Sequence, residues 1–110
     1  MEEQELSTVE QGIIQAQAIE AIRTCYDPEI PVNIYELGLV YNVAVDTLGM
    51  VTVTMTLTSP YCPAAQSLPR EIETKVKAVP GVRGVQVQVV WTPQWNPSMM
   101  SEAARLELGM

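Results

Sequence analysis

The pattern of apolar and polar residues predicts a first helix over residues 8–25. Ser7 and Glu10 have the spacing of a capping box, in which each side chain accepts a hydrogen bond from the other residue's main-chain N–H. Behind this start, apolar side chains recur every three or four positions, at Ile14, Ala18, Ile22 and Cys25. One face of the helix is therefore expected to pack into a core, with Cys25 as a core residue.

Two β-strands are predicted after a loop that contains Pro28 and Pro31. Apolar and polar residues alternate over 39–46, and they alternate again over 51–58 after a turn at 46–49. In the second run, a valine, methionine or leucine occupies each odd position and a threonine occupies each even position. Since successive side chains of a strand point to opposite faces, the two runs predict a hairpin with one buried and one polar face.

A second helix is predicted over residues 64–79 because its apolar side chains step by three and four before Pro80. Pro69 leaves two alternatives. The regular helix begins near Ser67 with the proline in its first turn, or it begins earlier and is kinked at the proline. Alternation over residues 85–91 then predicts a third strand.

These elements predict an α+β fold: a two-layer α-β-β-α-β core with a three-stranded mixed sheet, helices on one face and a short C-terminal helix. Residues 1–110 are expected to form one domain, with 1–7 as a flexible N-terminus and 92–110 as a C-terminal tail and helix. Asn96 is predicted to cap that helix, with Pro97 in its first turn. Because a small sheet has unpaired edges, we also expect a homodimer.

Charge and composition exclude several classes of partner and site. The net charge is −7 and no cluster of Lys or Arg is present, so nucleic acid and anionic membranes are not expected partners. The chain has no histidine, which excludes a Ser-His-Asp or Cys-His arrangement within one chain. No apolar stretch is long enough to span a membrane and the first residues are acidic, so we expect a cytoplasmic protein.

Cys62 is the first candidate for chemistry. It lies in the predicted loop between the second strand and the second helix, where main-chain N–H groups and the positive end of the helix dipole stabilise a thiolate. Local context leaves an alternative equally open, in which Cys62 is a small apolar residue under the start of the helix. The other cysteine, Cys25, is too far away in sequence for a Cys-x-x-Cys motif.

Three carboxylates and two threonines accompany this cysteine. Asp27 and Glu29 lie in the loop stiffened by proline and Glu36 lies at its end, where turn formation and helix capping explain each of them singly. Together, carboxylates on a stiff loop suit a thiol that binds iron or loses a proton. Thr56 and Thr58 can donate hydrogen bonds to a thiolate or sulfide, although alternating threonines are also typical of a solvated strand face.

Three ordered motifs carry a resemblance to a known family. They are DPEIPVNIYELGLVY at residues 27–41, TLTSPYCP at 56–63 and PGV at 80–82. Their combination resembles the SufT-like family of iron–sulfur assembly factors, which includes the PaaD-type proteins and the eukaryotic cytosolic cluster-targeting subunit. The resemblance implies an α+β domain with a cysteine as its functional centre. The matching site positions are Cys62, Asp27, Glu29, Glu36, Thr56 and Thr58.

This resemblance implies a non-catalytic factor that assists the assembly, transfer or targeting of iron–sulfur clusters, with the assembly machinery and client apo-proteins as partners. A cluster normally takes four thiolate ligands, so one reactive cysteine per chain cannot hold it alone. A transient iron–sulfur cluster is therefore expected, and no stably bound metal or cofactor.

Two alternatives stay open. One is a cysteine-dependent enzyme with Cys62 as nucleophile and a carboxylate as base, against which the missing histidine counts. The other is an interaction module in which Cys62 is structural.

Overall fold

The computed structural model describes residues 5–26, 32–57 and 64–109, with the main chain alone for residues 64–66. The elements are α1 (Thr8–Ile22), β1 (Val40–Val45), β2 (Met50–Met55), α2 (Ala64–Lys77), β3 (Gly84–Val89), a 3₁₀ turn (Pro97–Met99) and α3 (Glu102–Glu107). This order confirms the predicted α-β-β-α-β core followed by a short helix. Among the described residues, no helix has the length and apolar content needed to cross a membrane.

The sheet has the strand order β1-β2-β3 and is mixed, as predicted. β1 runs antiparallel to β2, and β3 runs parallel to β2 because α2 carries the chain back between them. Val43 lies opposite Val53, which in turn lies opposite Val87, so one face of all three strands presents valines. α1 packs against β1, α2 packs against β3, and the two helices pack against each other over this apolar face.

Alternation along β2 separates the two faces of the sheet as predicted, except at its end. The side chains of Val51, Val53 and Met55 are fully buried under the helices, whereas Thr52 and Thr54 are half-buried on the other face. Thr56, which the alternation also assigns to a solvated face, has only 1% of its surface exposed. The prediction of a solvated side chain is therefore wrong at Thr56.

α1 begins as the sequence predicts and ends earlier. Both hydrogen bonds of the capping box form between Ser7 and Glu10. The regular helix ends at Ile22 rather than at Cys25 because the N–H groups of Thr24 and Cys25 bond to carbonyls three residues back, which tightens the last turn. Cys25 nevertheless lies fully buried in the core. The prediction that Cys25 is a core residue is confirmed.

Pro69 lies inside α2, which begins at Ala64. The alternative of a helix starting near Ser67 is therefore wrong. Proline has no N–H, so the helix loses one main-chain hydrogen bond there. The buried stripe of Leu68, Ile72 and Val76 packs against the sheet and compensates for that loss.

The predicted C-terminal helix is divided in two. Asn96 caps only the 3₁₀ turn, through a hydrogen bond that its side chain accepts from the N–H of Ser98. α3 has its own cap, Ser101, whose hydroxyl accepts a hydrogen bond from the N–H of Ala104 at 3.1 Å. The prediction of one helix capped by Asn96 is wrong because Met100, between the two pieces, is extended and buried.

The C-terminal tail packs on the start of β1 and on the segment that precedes it. The indole N–H of Trp95 donates to the Leu37 carbonyl at 2.7 Å, and the hydroxyl of Tyr41 donates to the Pro93 carbonyl at 2.7 Å. Gly38 has a φ of +82°, and a Cβ at this position would lie 2.8 Å from the carbonyl carbon of Met99. Only glycine permits both this backbone conformation and this close approach.

Candidate functional site

The structure describes only some of the predicted site residues. Asp27, Glu29, Thr58 and Cys62 lie outside the described residues. Glu36 and Thr56 are described, together with the main chain that leads into and out of the two segments carrying the others. The site is therefore built from these two side chains and from the frame around residues 27–31 and 58–63.

Main-chain hydrogen bonds close the frame around the acidic segment. Tyr26 and Asn33 form an isolated antiparallel bridge, and the N–H of Ile34 donates to the carbonyl of Cys25 at 2.9 Å. The Asn33 side chain then accepts a hydrogen bond from the N–H of Glu36 at 3.0 Å, which caps a short turn. This frame joins the end of α1 to the turn that carries Glu36.

The carboxylate of Glu36 forms an ion pair with Arg23. A guanidinium nitrogen of Arg23 lies 3.3 Å from its oxygen, and the Glu36 side chain is 21% exposed. Arg23 also lies over the ring of Tyr35, with 5.1 Å between the guanidinium carbon and the ring centroid. This stacked arginine pairs with the carboxylate and fixes its direction.

Glu36 borders a cleft of about 220 Å³ beside the acidic segment. Its walls include Tyr26, Val32, Asn33 and Glu36 on one side and Ala104 and Glu107 of α3 on the other. The main chain of Glu36 is fixed from the same side, because its carbonyl accepts a hydrogen bond from the N–H of Ser101 at 2.8 Å. The C-terminal tail thus helps to position this carboxylate.

Thr56 occupies the point where the sheet ends and the segment leading to Cys62 begins. Its N–H donates to the Leu39 carbonyl at 2.8 Å, which extends the β1–β2 pairing by one step. Its hydroxyl oxygen is buried and has no hydrogen-bond partner among the described residues. Buried polar atoms without a partner are rare in folded proteins because each lost hydrogen bond costs stability. The hydroxyl is therefore available to donate to a group at the end of β2.

Cys25 has the properties of a core thiol. Burial is the main cause that raises its pKa from 9.0 to about 12, and a hydrogen bond with Glu71 and that residue's negative charge add to the increase. A thiol of this kind stays protonated at neutral pH and is a poor nucleophile and metal ligand.

The sequence did not indicate every residue that shapes the site. Arg23 and Tyr35 hold Glu36, yet neither residue type nor spacing marks them as partners. Asn33 had a local signal, since an asparagine three residues before Glu36 has the spacing of a side-chain cap. In the part of the chain that the structure describes, no three carboxylate or cysteine side chains gather into a group that could hold a metal ion.

Comparison with known proteins identifies the family. Residues 15–89 match a family model described as iron–sulfur cluster assembly protein. An Fe–S protein maturation auxiliary factor of Porphyromonas gingivalis is 56% identical over 91 residues, which cover 83% of this chain and 87% of that protein. The Fe–S protein maturation auxiliary factor SufT of Staphylococcus aureus is 42% identical over 84 residues, which cover 76% of this chain and 96% of that protein.

The fold gives the same result. The crystal structure of a domain of unknown function, DUF59, from Bacillus anthracis matches with a TM-score of 0.87 and 33% sequence identity, covering 94% of this chain and 99% of that one. The family expected from the three sequence motifs is confirmed. The chain belongs to the iron–sulfur cluster assembly protein family.

Proposed function

We propose that this protein assists the maturation of iron–sulfur proteins by helping to assemble, transfer or direct clusters to client apo-proteins, and that Cys62 is its working group. Family membership and the function named for its relatives support the role. The single structural observation that supports Cys62 as the working group is the buried hydroxyl of Thr56, which has no partner among the described residues and precedes the segment that holds Cys62.

Thr56 has the chemistry that a thiolate or a sulfide requires. A hydroxyl donates a hydrogen bond to an anionic sulfur, and the low dielectric of a buried position strengthens that bond. The donation favours the ionised form of the thiol, which is the form that binds iron. Thr58 is proposed to act in the same way, since it lies closer to Cys62 in the sequence.

Glu36 is proposed to act with Asp27 and Glu29 at the other side of the site. Carboxylate oxygens bind iron and accept protons, so they can receive the proton of the thiol or replace one sulfur ligand during transfer. The ion pair with Arg23 holds the Glu36 carboxylate in place for either task. The cluster is cargo in this scheme, and its remaining ligands come from a partner protein or a small thiol because one cysteine cannot hold it.

The role is non-catalytic: the protein passes on or directs a cluster and converts no substrate. Its partners are the assembly machinery and the client apo-proteins, and its place of action is the cytoplasm. The protein is also proposed to be a homodimer.

Anaerobic reconstitution with iron and sulfide tests the proposal. The wild-type protein should develop visible absorption and activate an apo-enzyme that needs a [4Fe–4S] cluster. Cys62→Ser should lose both properties, and the matched control Cys25→Ser should keep both. If Cys62→Ser supports transfer at the wild-type rate, Cys62 is not the working group.

Affinity capture separates transfer from targeting. Wild-type and Cys62→Ala proteins are used as baits, and captured proteins are tested for iron–sulfur clusters and cluster-assembly activity. Capture of such proteins by both baits supports targeting without a cysteine ligand. Their absence from both samples argues against a role in maturation.

A further inference from the structure

The two edges of the sheet differ in how they are covered. On the β1 edge, the side-chain amide of Gln15 donates a hydrogen bond to the Val43 carbonyl at 2.7 Å. Just beyond the strand, the N–H of Leu6 donates to the Thr47 carbonyl at 2.7 Å. α1 and the residues before it thus cover part of this edge.

No described residue pairs with the β3 edge. The N–H of Val90 donates to the Met55 carbonyl at 2.8 Å, so the even-numbered residues of β3 bond to β2. Because successive residues of a strand direct their main-chain groups to opposite sides, Val85, Val87 and Val89 direct theirs away from the sheet. Within the described part of the chain, these groups have no hydrogen-bond partner.

The open edge also lacks the devices that protect edges from pairing. Residues 84–101 contain no charged side chain, although the chain carries a net charge of −7. Monomeric proteins commonly place a lysine, a proline or a bulge on an exposed edge strand, and β3 has none of these. Its valine side chains remain half-buried, whereas Val51 and Val53 of the neighbouring strand are fully buried.

We propose that the β3 edge pairs with the same edge of a second copy, antiparallel about a two-fold axis at Val87. Val85 of one copy then faces Val89 of the other, and the three outward residues of each strand form about six main-chain hydrogen bonds. The sequence is symmetric about Val87, with glutamine at 86 and 88 and valine at 85 and 89. Valines therefore meet valines on one face, and glutamines meet glutamines on the other.

The charge distribution permits a second copy to occupy this edge. Two chains of net charge −7 repel each other, and an uncharged strand is where they approach with least repulsion. Pairing joins two three-stranded sheets into one of six strands and removes one open edge from each copy.

This arrangement has a consequence for the site, which rests on the proposed function. β2 runs parallel to β3, so antiparallel pairing of β3 places the ends of β2 at opposite ends of the joined sheet. The two segments that carry Cys62 then begin at opposite ends. The described main chain therefore leaves β2 at opposite ends of the dimer, once in each copy.

Light scattering coupled to gel filtration tests the pairing. The wild-type protein should have twice the chain mass of 12.1 kDa over a range of concentrations. Val87→Pro removes an outward N–H without removing a bond to β2, and it should give a monomer. Val45→Pro is the matched control, because it removes an outward N–H from the covered β1 edge, and it should remain a dimer. A monomeric wild-type protein overturns the proposal, as does a dimer that Val87→Pro leaves intact.

Amide hydrogen exchange on the wild-type protein gives a test that does not depend on how a variant folds. The amides of Val85, Val87 and Val89 should exchange more slowly as the concentration rises, and that of Val45 should not change. A dimer in which these three amides exchange freely excludes the β3 edge. Neither readout involves iron or Cys62, so failure of the pairing is distinguishable from failure of the proposed function.

Discussion

Thr56→Val is expected to raise the stability of the protein, because it removes a buried hydroxyl that has no partner among the described residues. Valine has the shape of threonine, so the substitution leaves neither a cavity nor a clash at a residue that is 1% exposed. Leaving a buried polar group unpaired costs about 1–3 kcal/mol, and this amount should be recovered. For a domain of this size, about 1 kcal/mol corresponds to an increase in Tm of roughly 4–8 °C.

Thermal unfolding followed by circular dichroism measures this change. Thr54→Val is the matched control, since Thr54 lies on the same strand but is half-buried, and its unfolding free energy should change by no more than about 0.5 kcal/mol. A lower Tm for Thr56→Val refutes the expectation that the hydroxyl is unpaired in the resting protein, because it means that a group outside the described residues, such as Cys62, already accepts its hydrogen bond.

Cluster transfer provides the second half of the test. The stabilised Thr56→Val protein should transfer clusters more slowly than the wild type, whereas Thr56→Ser keeps the hydroxyl and should retain most of the rate. A stable variant with unchanged transfer would show that the hydroxyl has no role in the site.

Three further tests concern Gly38, the Cys25 thiol and Glu36. Gly38→Ala should lower the unfolding free energy in urea by about 2 kcal/mol or more, since it strains a left-handed residue against main chain, whereas Gly12→Ala on the open face of α1 should raise it by about 0.5–1 kcal/mol. In a Cys62→Ser background at pH 8.5, Cys25 should react with iodoacetamide only after unfolding. Because its pKa is raised from 9.0 to about 12, the unfolding free energy should fall as pH rises above 9, and Cys25→Ala should lack this component. Glu36→Gln should change stability by less than about 1 kcal/mol, because the arginine of its ion pair is well exposed, yet it should slow cluster transfer.

The sequence predicted the fold wherever a local pattern decides the structure. The alternation along β2 requires only that one face of the strand is buried, so Val51, Val53 and Met55 could be assigned from their spacing. The same argument fails at Thr56 because its burial depends on packing beyond the end of the strand, where its N–H pairs with Leu39. No alternation rule contains that information.

Helix boundaries were harder to predict because tertiary packing competes with local signals. Asn96 followed by Pro97 is a strong local signal for the start of a helix. The burial of Met100 nevertheless ends the 3₁₀ turn there, and Ser101 caps a separate helix, α3. At Pro69 the opposite happens, since a local breaker lies inside α2. Propensity is a weak constraint when an apolar stripe is buried on one side of a helix.

The candidate site shows which part of function can be predicted from a sequence. Glu36 was predicted as a site residue because carboxylates and prolines cluster in one short segment, and it stays a prediction. Its partner Arg23 could not be identified, because the contact depends on the bridge between Tyr26 and Asn33 that folds the chain back beside α1. The contribution of the C-terminal tail has the same origin, since Ser101 reaches the carbonyl of Glu36 only in the folded chain.

Local costs to stability lie on both sides of the segment that holds Thr58 and Cys62. Thr56 has a hydroxyl without a partner among the described residues just before residues 58–63, and Pro69 removes one main-chain hydrogen bond from the helix that follows them. In proteins, positions that break local rules tend to cluster where function requires a particular geometry. The buried valines of β2 obey every rule of patterning and packing, so the stability that tolerates these costs comes from the sheet and its two helices. This division supports placing the working part of the molecule at the end of β2, where the regular structure stops.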